Sequence, residues 1–341
     1  MQTTETITIE IHNAIPNGGI DATGKIISLW QLVDGYFTDR KFVVEDPYRG
    51  QLGEYRISLD AKALINLMQT ARDNNESFDI YRQMHAADSS VAINSELHMT
   101  VEALNSRTEP YSMYHAASVF IQQLLLGMNL ALPGSCQFLD TRFAGPHAHR
   151  FEAQDFDSKA FSDAMLSATE HGWPKLHELS FETVWGWFER AGTSERNTAI
   201  TTINKVLIDM LKIAQQRYRY GARTAMLVGN QLEMLVGTSD DADMQHLRER
   251  VSLILGRPPE SADCFKELYR LREALFKGEH PVRRPALVYH NADEEIMQQL
   301  AQHNSGVEKA LAVVLSLLQD LVQNDADGYQ FSEHMQRKGQ D

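Results

Sequence analysis

The first 110 residues alternate between apolar and polar positions in the manner of β-strands. Residues 6–11 read TITIEI, which places three isoleucines on one face of an extended chain. Apolar runs with strand bias follow at residues 25–33 and 54–59, and residues 89–101 alternate again. Residues 61–71 have a helical pattern. The pattern predicts a mixed, mainly β module over residues 1–110.

The hydrophobic period becomes helical beyond this module. Apolar residues recur every three or four positions over residues 113–128, and residues 159–169 predict a second helix. Trp185 and Trp187 lie two positions apart among further aromatic residues, and we expect them to anchor packing between domains. We therefore predict a helical and irregular connecting region over residues 111–198.

From residue 199 the chain predicts helices almost throughout. A long amphipathic segment reaches Gly237 with a break at Gly221, and short connections between the later helices favour an up-and-down bundle. The later helices are predicted at residues 243–255, 262–276, 293–303 and 307–322. The chain is thus expected to be an α+β protein, with a helical bundle over residues 199–325 and a flexible tail over residues 326–341.

Composition and charge narrow the functional classes. With 341 residues, of which 43% are hydrophobic, the chain can bury a sizeable core and is long enough for about two domains. Its net charge of -14 argues against a protein that coats nucleic acid along its whole length. Residues 1–200 hold 26 acidic and 15 basic side chains, whereas residues 201–341 hold 20 and 17. Binding of an anionic ligand is therefore expected in the C-terminal part.

The sequence also favours a reduced, cytoplasmic protein without membrane contact. Cys136 and Cys264 are too few and too far apart for a disulfide framework or a zinc ribbon, so we expect buried thiols. The N-terminus has no signal-peptide pattern, and polar residues interrupt the most apolar stretch, residues 116–132.

Two basic stretches in the C-terminal part suit contact with RNA. Residues 266–284 carry six basic side chains against three acidic ones, and residues 205–223 carry five, interleaved with Tyr218 and Tyr220. Cations beside aromatic rings favour phosphate contact and base stacking. The alternative is a solvated face that pairs with the acidic first half. The candidate RNA-binding residues are Arg217, Arg219, Arg223, Arg270, Arg283 and Arg284.

A second candidate site is the segment of His147 and His149, which is followed by Asp155 and Asp157. On a strand, both imidazoles of an HxH pair would lie on one face, as in metal hydrolases. The alternative is a polar surface loop. The chain has neither a phosphate-binding glycine loop nor a GxSxG motif, and we expect neither a metal nor a cofactor.

Three segments in order resemble one family. Residues 268–278 read LYRLREALFKG, which resembles the LYxxRNxxxHG helix of the Apea-like branch of the HEPN superfamily. Residues 225–237 read AMLVGNQLEMLVG and resemble that family's helix ending in ALExLxG. Residues 174–187 are similar to the linker that precedes such domains. The resemblance covers about residues 170–325.

The resemblance implies a bundle of four to five helices that forms a homodimer and cleaves RNA without a metal. An Arg and a His of each copy meet across a shared cleft in that family. Arg272 matches the Arg, Glu233 matches an acidic residue of the earlier helix, and Lys277 stands in place of the His. Glu273 replaces the usual Asn. His280 lies three residues beyond Lys277 and is a substitute base if the chain returns to the site, since a Lys at its ordinary pKa stays protonated at neutral pH.

The resemblance further implies a role in prokaryotic defence against phage. The N-terminal half would then sense a trigger or a protein partner with a basic face, and the bundle would cleave RNA. The alternative is a catalytically degenerate scaffold or sensor that dimerises and binds RNA or a protein partner.

Overall fold

The computed structural model describes residues 4–16, 20–75, 77–81, 94–105, 109–216, 222–237, 244–279 and 294–332. The five strands and ten α-helices that carry the architecture within these ranges are numbered in chain order. They are β1 (Thr4–Asn13), α1 (Ile20–Tyr36), β2 (Arg40–Glu45), β3 (Leu52–Asp60), α2 (Lys62–Asn75), β4 (Ser95–Ala103), α3 (Pro110–Ala131), β5 (Leu139–Ala144), α4 (Lys159–His171), α5 (Phe181–Ala191), α6 (Thr202–Ala214), α7 (Ala222–Val236), α8 (Met244–Leu255), α9 (Phe265–Phe276) and α10 (Glu294–Gln323).

The strands form one antiparallel sheet in the order β2-β3-β4-β1-β5. In the central pair, Ile7 lies opposite Met99 and Ile9 opposite Leu97, and all four side chains are buried. Because side chains alternate along a strand, this register directs the apolar residues of both strands toward the same core. The sheet and the helices after it confirm the α+β fold class.

The prediction of a strand at residues 25–33 is wrong, because this run forms the middle of α1. Ile26, Ile27, Trp30 and Val33 are all buried. Their spacing of one, three and three residues matches one face of a helix better than the alternation of a strand. Because the run contains so many apolar residues, its helical period was not evident from the sequence.

The sheet also uses residues from the region that was predicted to connect the domains. Residues 139–144 form the edge strand β5, which pairs with β1 in the register Ile9 to Phe143. The predictions for residues 54–59, 61–71 and 159–169 are confirmed as β3, α2 and α4. The predicted strand at residues 89–101 corresponds to β4 where it is described.

Helix α3 joins the sheet to the helical part. It contacts β1, β2 and β4 as well as α5, α6 and α10. Its buried Asn129 donates through Nδ2 to Leu125 O at 2.9 Å and Cys136 O at 3.0 Å. The Oδ1 atom accepts from Gly134 N at 3.0 Å, and Gly134 has a φ of +79° that favours glycine. These bonds fix the turn after α3 and hence the start of the chain that leads to β5.

Helices α6 to α10 form the C-terminal region, in which α10 packs against α3, α4, α5, α7, α8 and α9. The prediction of separate helices at residues 293–303 and 307–322 is wrong, because α10 is continuous. Gly306, between the two predicted helices, lies inside α10 where α9 approaches, and a Cβ there would lie 2.8 Å from the Glu267 Cδ. The segment before Gly237 is two helices, α6 and α7, and Gly221 lies outside the described residues.

The two tryptophans of α5 connect the parts of the molecule. The Trp185 ring lies 4.7 Å from the Phe37 ring at the end of α1, measured between centroids. Trp187 Nε1 donates to Ala326 O at 3.0 Å, beyond the end of α10. Both side chains are buried. No helix in the described ranges is long and apolar enough to span a membrane.

Candidate functional site

The C-terminal end of α9 carries the residues that resemble the family motif. Gly278 follows the helix with a φ of +69°, and the Gly278 and Glu279 amides donate to Leu275 O and Ala274 O at 3.2 and 2.8 Å. This pattern is a Schellman motif, which ends a helix where glycine adopts the left-handed conformation. Lys277 is the C-cap residue. Glycine is therefore favoured at residue 278 because it ends the helix in the left-handed conformation.

An ion pair joins α9 to α7. Arg272 Nη1 donates to Glu233 Oε1, and the side chains are 40% and 27% exposed. Leu268, one turn before Arg272, packs over Gly229, where a Cβ would lie 3.9 Å from the Leu268 Cδ2. A Cβ at this distance would make an ordinary van der Waals contact, so the space between the two helices would also accept an alanine at residue 229. The two positions that the resemblance selected are thus in contact although 39 residues separate them.

A cleft of about 500 Å³ opens beside this pair, and we call it the Arg272 cleft. It is lined by Arg223, Ala225, Met226, Leu227, Gly229, Asn230, Leu232, Glu233, Leu247, Leu268, Arg272 and Phe276. Most of these residues are apolar, and Met226 and Phe276 are 43% and 68% exposed. The Arg272 guanidinium lies 5.6 Å from the centre of the Phe276 ring. A cation set among apolar walls is less screened by water than one on an open surface.

Lys277 caps the C-terminal end of α9 and carries a positive charge there. It is not part of the lining of the Arg272 cleft. Its Nζ donates to Glu273 Oε1 at 2.7 Å. This hydrogen bond and the charge of Glu273 raise the pKa of the Lys277 ammonium above its ordinary value. Lys277 is therefore protonated at neutral pH, so it can attract a phosphate but cannot take a proton.

The structure separates the remaining basic candidates. Arg223 lines the Arg272 cleft, whereas Arg270 is exposed on α9 outside that lining. A spacing of two residues rotates a helix by about 200°, so Arg270 and Arg272 point to different sides. Five of the candidate site residues lie outside the described ranges: Arg217, Arg219, His280, Arg283 and Arg284.

The metal-site interpretation required His147 and His149 to lie on a strand. In the structure they do not. Residues Ala148–Arg150 form one turn of 3₁₀ helix, with His147 at its N-terminal end. Asp155 Oδ1 instead accepts bonds from Thr141 N at 3.0 Å and Thr141 Oγ1 at 3.1 Å. Among the described residues, no three His, Cys, Asp or Glu side chains are grouped so as to hold a metal ion.

Both cysteines are buried free thiols, as the sequence predicted. Burial raises the pKa of the Cys264 thiol to about 12 and also raises the pKa of Cys136. Because the thiolate is the reactive form of cysteine, these residues stay unreactive at neutral pH. They contribute to the core rather than to a site.

Sequence reasoning missed the apolar walls of the Arg272 cleft. Met226 and Phe276 are large apolar residues at exposed positions of α7 and α9. The available signal in the sequence was that these two apolar residues lie outside the buried faces of two amphipathic helices.

No protein-family model, curated protein or solved structure matches this chain. Its function is therefore inferred from the Arg272 cleft and from the resemblance of the helices that form it.

Proposed function

We propose that this chain is a HEPN-like endoribonuclease that cleaves RNA without a metal ion and holds the reacting phosphate at Arg272. The observation that carries the proposal is the ion pair between Arg272 and Glu233 beside a mainly apolar cleft. Glu233 orients the guanidinium, which keeps further N–H donors for a phosphate. The walls can accommodate the flat apolar faces of unpaired bases.

The chemistry needs one proton to leave and another to arrive. The ribose 2′-oxygen attacks the phosphorus, the bond to the 5′-oxygen breaks, and the products are a 2′,3′-cyclic phosphate and a 5′-hydroxyl. A base takes the proton of the 2′-hydroxyl, and an acid or water supplies one to the leaving oxygen. Arg272 stabilises the negative charge that grows on the phosphate oxygens in between.

Lys277 is a second cation rather than the base in this scheme. Its raised pKa keeps the ammonium protonated, so it can hold the phosphate as a point charge. The proton of the 2′-hydroxyl must then go to another group. His280, three residues further along the chain, is the candidate that the sequence offers.

The degenerate alternative has one specific observation in its favour, which is the same protonated Lys277. A domain that has lost the His of its motif can keep the Arg272 cleft for binding alone. In that case the chain is a scaffold or sensor that dimerises and binds RNA or a protein partner.

The proposal also includes a homodimer, a protein partner and a biological role. The exposed Met226 and Phe276 suit a homodimer interface across the Arg272 cleft, since contiguous exposed apolar residues mark interaction sites. The acidic first half suits a partner with a basic face. A role in antiphage defence would make that half the sensor of the trigger.

A cleavage assay on labelled RNA in EDTA tests the proposal. We expect cleavage that persists in EDTA and leaves 2′,3′-cyclic phosphate ends. Binding of RNA without any cleavage, both alone and with phage-infected cell extract as a trigger, would support the degenerate alternative instead. If the protein neither binds nor cleaves RNA under these conditions, RNA is excluded as the substrate.

Replacing Lys277 with His is expected to raise the cleavage rate at pH 7 by at least about tenfold. A neutral imidazole can take the proton that the Lys277 ammonium cannot, and general base catalysis contributes about 10²–10⁴-fold to such reactions. The rate should rise with pH through the range near 6.5 and then level, since His is a base only when neutral. A Lys277→Ala variant controls for loss of the Glu273 pair and should show no such rise.

Replacing Arg223 with Ala is expected to weaken RNA binding and to reduce its salt dependence. One phosphate contact to a single strand contributes about 0.7 to the slope of log K against log salt. The slope should therefore fall by about this amount when binding is titrated at several salt concentrations. Arg270→Ala removes the same charge from a position outside the Arg272 cleft and should leave the slope closer to the wild type.

A further inference from the structure

Aromatic rings form a continuous row from the core to the surface of the N-terminal part, and we call it the aromatic row. Successive ring centroids are 5.3 Å apart from Phe143 to Tyr114, 4.4 Å from Tyr114 to Phe151, 5.6 Å from Phe151 to Tyr111 and 4.7 Å from Tyr111 to Tyr48. The inner rings of Phe143 and Tyr114 are buried, whereas Tyr111 and Tyr48 are 40% and 66% exposed. The row has no residue in the lining of the Arg272 cleft.

The turn that carries Tyr48 is fixed by the buried carboxylate of Asp46. Asp46 Oδ1 accepts from Tyr48 N at 2.9 Å and from Arg49 N at 3.1 Å. Its Oδ2 accepts from Ser112 Oγ at 2.8 Å, in the first turn of α3 beside Tyr111. One carboxylate thus holds the backbone of both exposed rings. A surface that is ordered in advance loses less conformational freedom when a ligand binds.

The Tyr48 ring contributes little to the stability of the fold. Apolar burial stabilises a protein in proportion to the area removed from water, and most of this side chain remains in water. At the outer end of the row, the ring is available to a further flat ring, since aromatic rings prefer offset or tilted stacking. The row can therefore continue into a ligand.

Exposed cations adjoin the aromatic row in the sequence. Arg49 follows Tyr48 directly, and Arg150 precedes Phe151 after the exposed His149. Neither arginine forms an ion pair with a residue in the described part of the chain. Cations beside exposed aromatic rings bind the phosphates and the unpaired bases of a single strand. An anionic ligand was expected only in the C-terminal part, but these cations provide for one here as well.

Exposed carboxylates at Glu109 and Glu152 balance the two arginines. A carboxylate repels a phosphate, but it accepts a hydrogen bond from the ribose 2′-hydroxyl, which DNA lacks. Glu152 follows Phe151 and can serve as this acceptor. The mixture of rings, cations and a carboxylate therefore favours RNA over DNA.

We propose that the aromatic row binds single-stranded RNA, with an unpaired base stacked on Tyr48 and phosphates at Arg49 and Arg150. The proposal gives the N-terminal half an RNA ligand of its own. It does not depend on cleavage at the Arg272 cleft, because the two sites share no residue.

Fluorescence anisotropy of a short labelled RNA tests the proposal on the full chain carrying Arg223→Ala and Arg272→Ala. These two changes remove the cations of the Arg272 cleft, so the result does not depend on RNA binding or cleavage there. Adding Tyr48→Ala should weaken binding at least about fivefold, the loss that corresponds to one stacked base. Tyr48→Phe keeps the ring and should bind like the parent. Equal affinity of Tyr48→Ala and its parent, or no binding by the parent, would overturn the proposal.

Three competing ligands test the identity of the strand. The same RNA as a duplex hides its base faces, DNA of the same sequence lacks the 2′-hydroxyl, and a proline-rich peptide offers a different partner for exposed aromatic rings. We expect single-stranded RNA to bind most tightly. Equal or tighter binding of any competitor would contradict the assignment to single-stranded RNA.

Photo-crosslinking locates the bound base. RNA that contains thiouridine should attach to the segment that carries Tyr48 when the parent protein is irradiated. Crosslinks confined to other segments would show that the RNA binds elsewhere. The melting temperature of Tyr48→Ala should match that of the parent, since the side chain is mostly exposed.

Discussion

Replacing Arg272 with Ala is expected to lower the rate of RNA cleavage by at least about a hundredfold. Loss of one preorganised donor to a charged transition state costs about 10²–10³ in rate in comparable sites. Glu233 pairs with Arg272, and the Arg272 side chain remains 40% exposed, which leaves it accessible to a phosphate. The measurement is the single-turnover rate on labelled RNA in EDTA.

The fold of the Arg272→Ala variant should be preserved. A half-exposed ion pair contributes about 0–1 kcal/mol to the free energy of unfolding, so the melting temperature should change little. A loss of cleavage that accompanies unfolding would therefore count against a direct role for Arg272.

Two variants separate charge from position. Arg270→Ala removes the neighbouring cation outside the Arg272 cleft and should keep most of the activity. Glu233→Gln keeps a hydrogen-bond acceptor beside Arg272 but removes the charge, so we expect a smaller loss than for Arg272→Ala. Full activity of Arg272→Ala in a folded protein would exclude the catalytic role that we propose for it.

The fold was predictable where the hydrophobic period was unambiguous. The alternation of residues 6–11 identified β1, and the helical period of residues 113–128 identified α3. The run at residues 25–33 is dense in apolar residues, so its period was not decisive and the helix α1 was missed. Strand β5 was missed because it pairs with β1 only through contacts between residues that are 126 to 136 positions apart.

The Arg272 cleft was predictable in part. The resemblance selected Arg272 and Glu233, and the structure brings these two side chains together. Glu273 and Lys277 are four residues apart on a predicted helix, a spacing that allows an ion pair, but the sequence analysis did not use it. The structure shows this pair and the rise that it causes in the pKa of Lys277.

Replacing Gln319 with Leu is expected to lower the free energy of unfolding by about 2–4 kcal/mol. Gln319 is fully buried on α10, where its Nε2 donates to Leu130 O at 2.9 Å and His177 O at 2.8 Å. Its Oε1 accepts from His177 N at 2.8 Å. Leu130 O lies in the last turn of α3, whose carbonyls have no partner within the helix. Leucine would leave the buried Leu130 O without a partner, which costs about 1–3 kcal/mol. The two His177 groups would cost less, because they are only partly buried and water can replace their bonds.

Gln123→Leu is the matched control for this prediction, and urea unfolding of both variants is the measurement. The exchange is chemically identical, and both glutamines are buried, but Gln123 Oε1 has no hydrogen-bond partner within the described chain. Leucine at residue 123 should therefore lower the free energy of unfolding by less than about 1 kcal/mol, or raise it. Equal losses at the two positions would show that burial of the side chain, rather than its hydrogen bonds, sets the stability at both. A large loss at residue 319 alone would show that Gln319 holds α10, the end of α3 and the segment before α5 together.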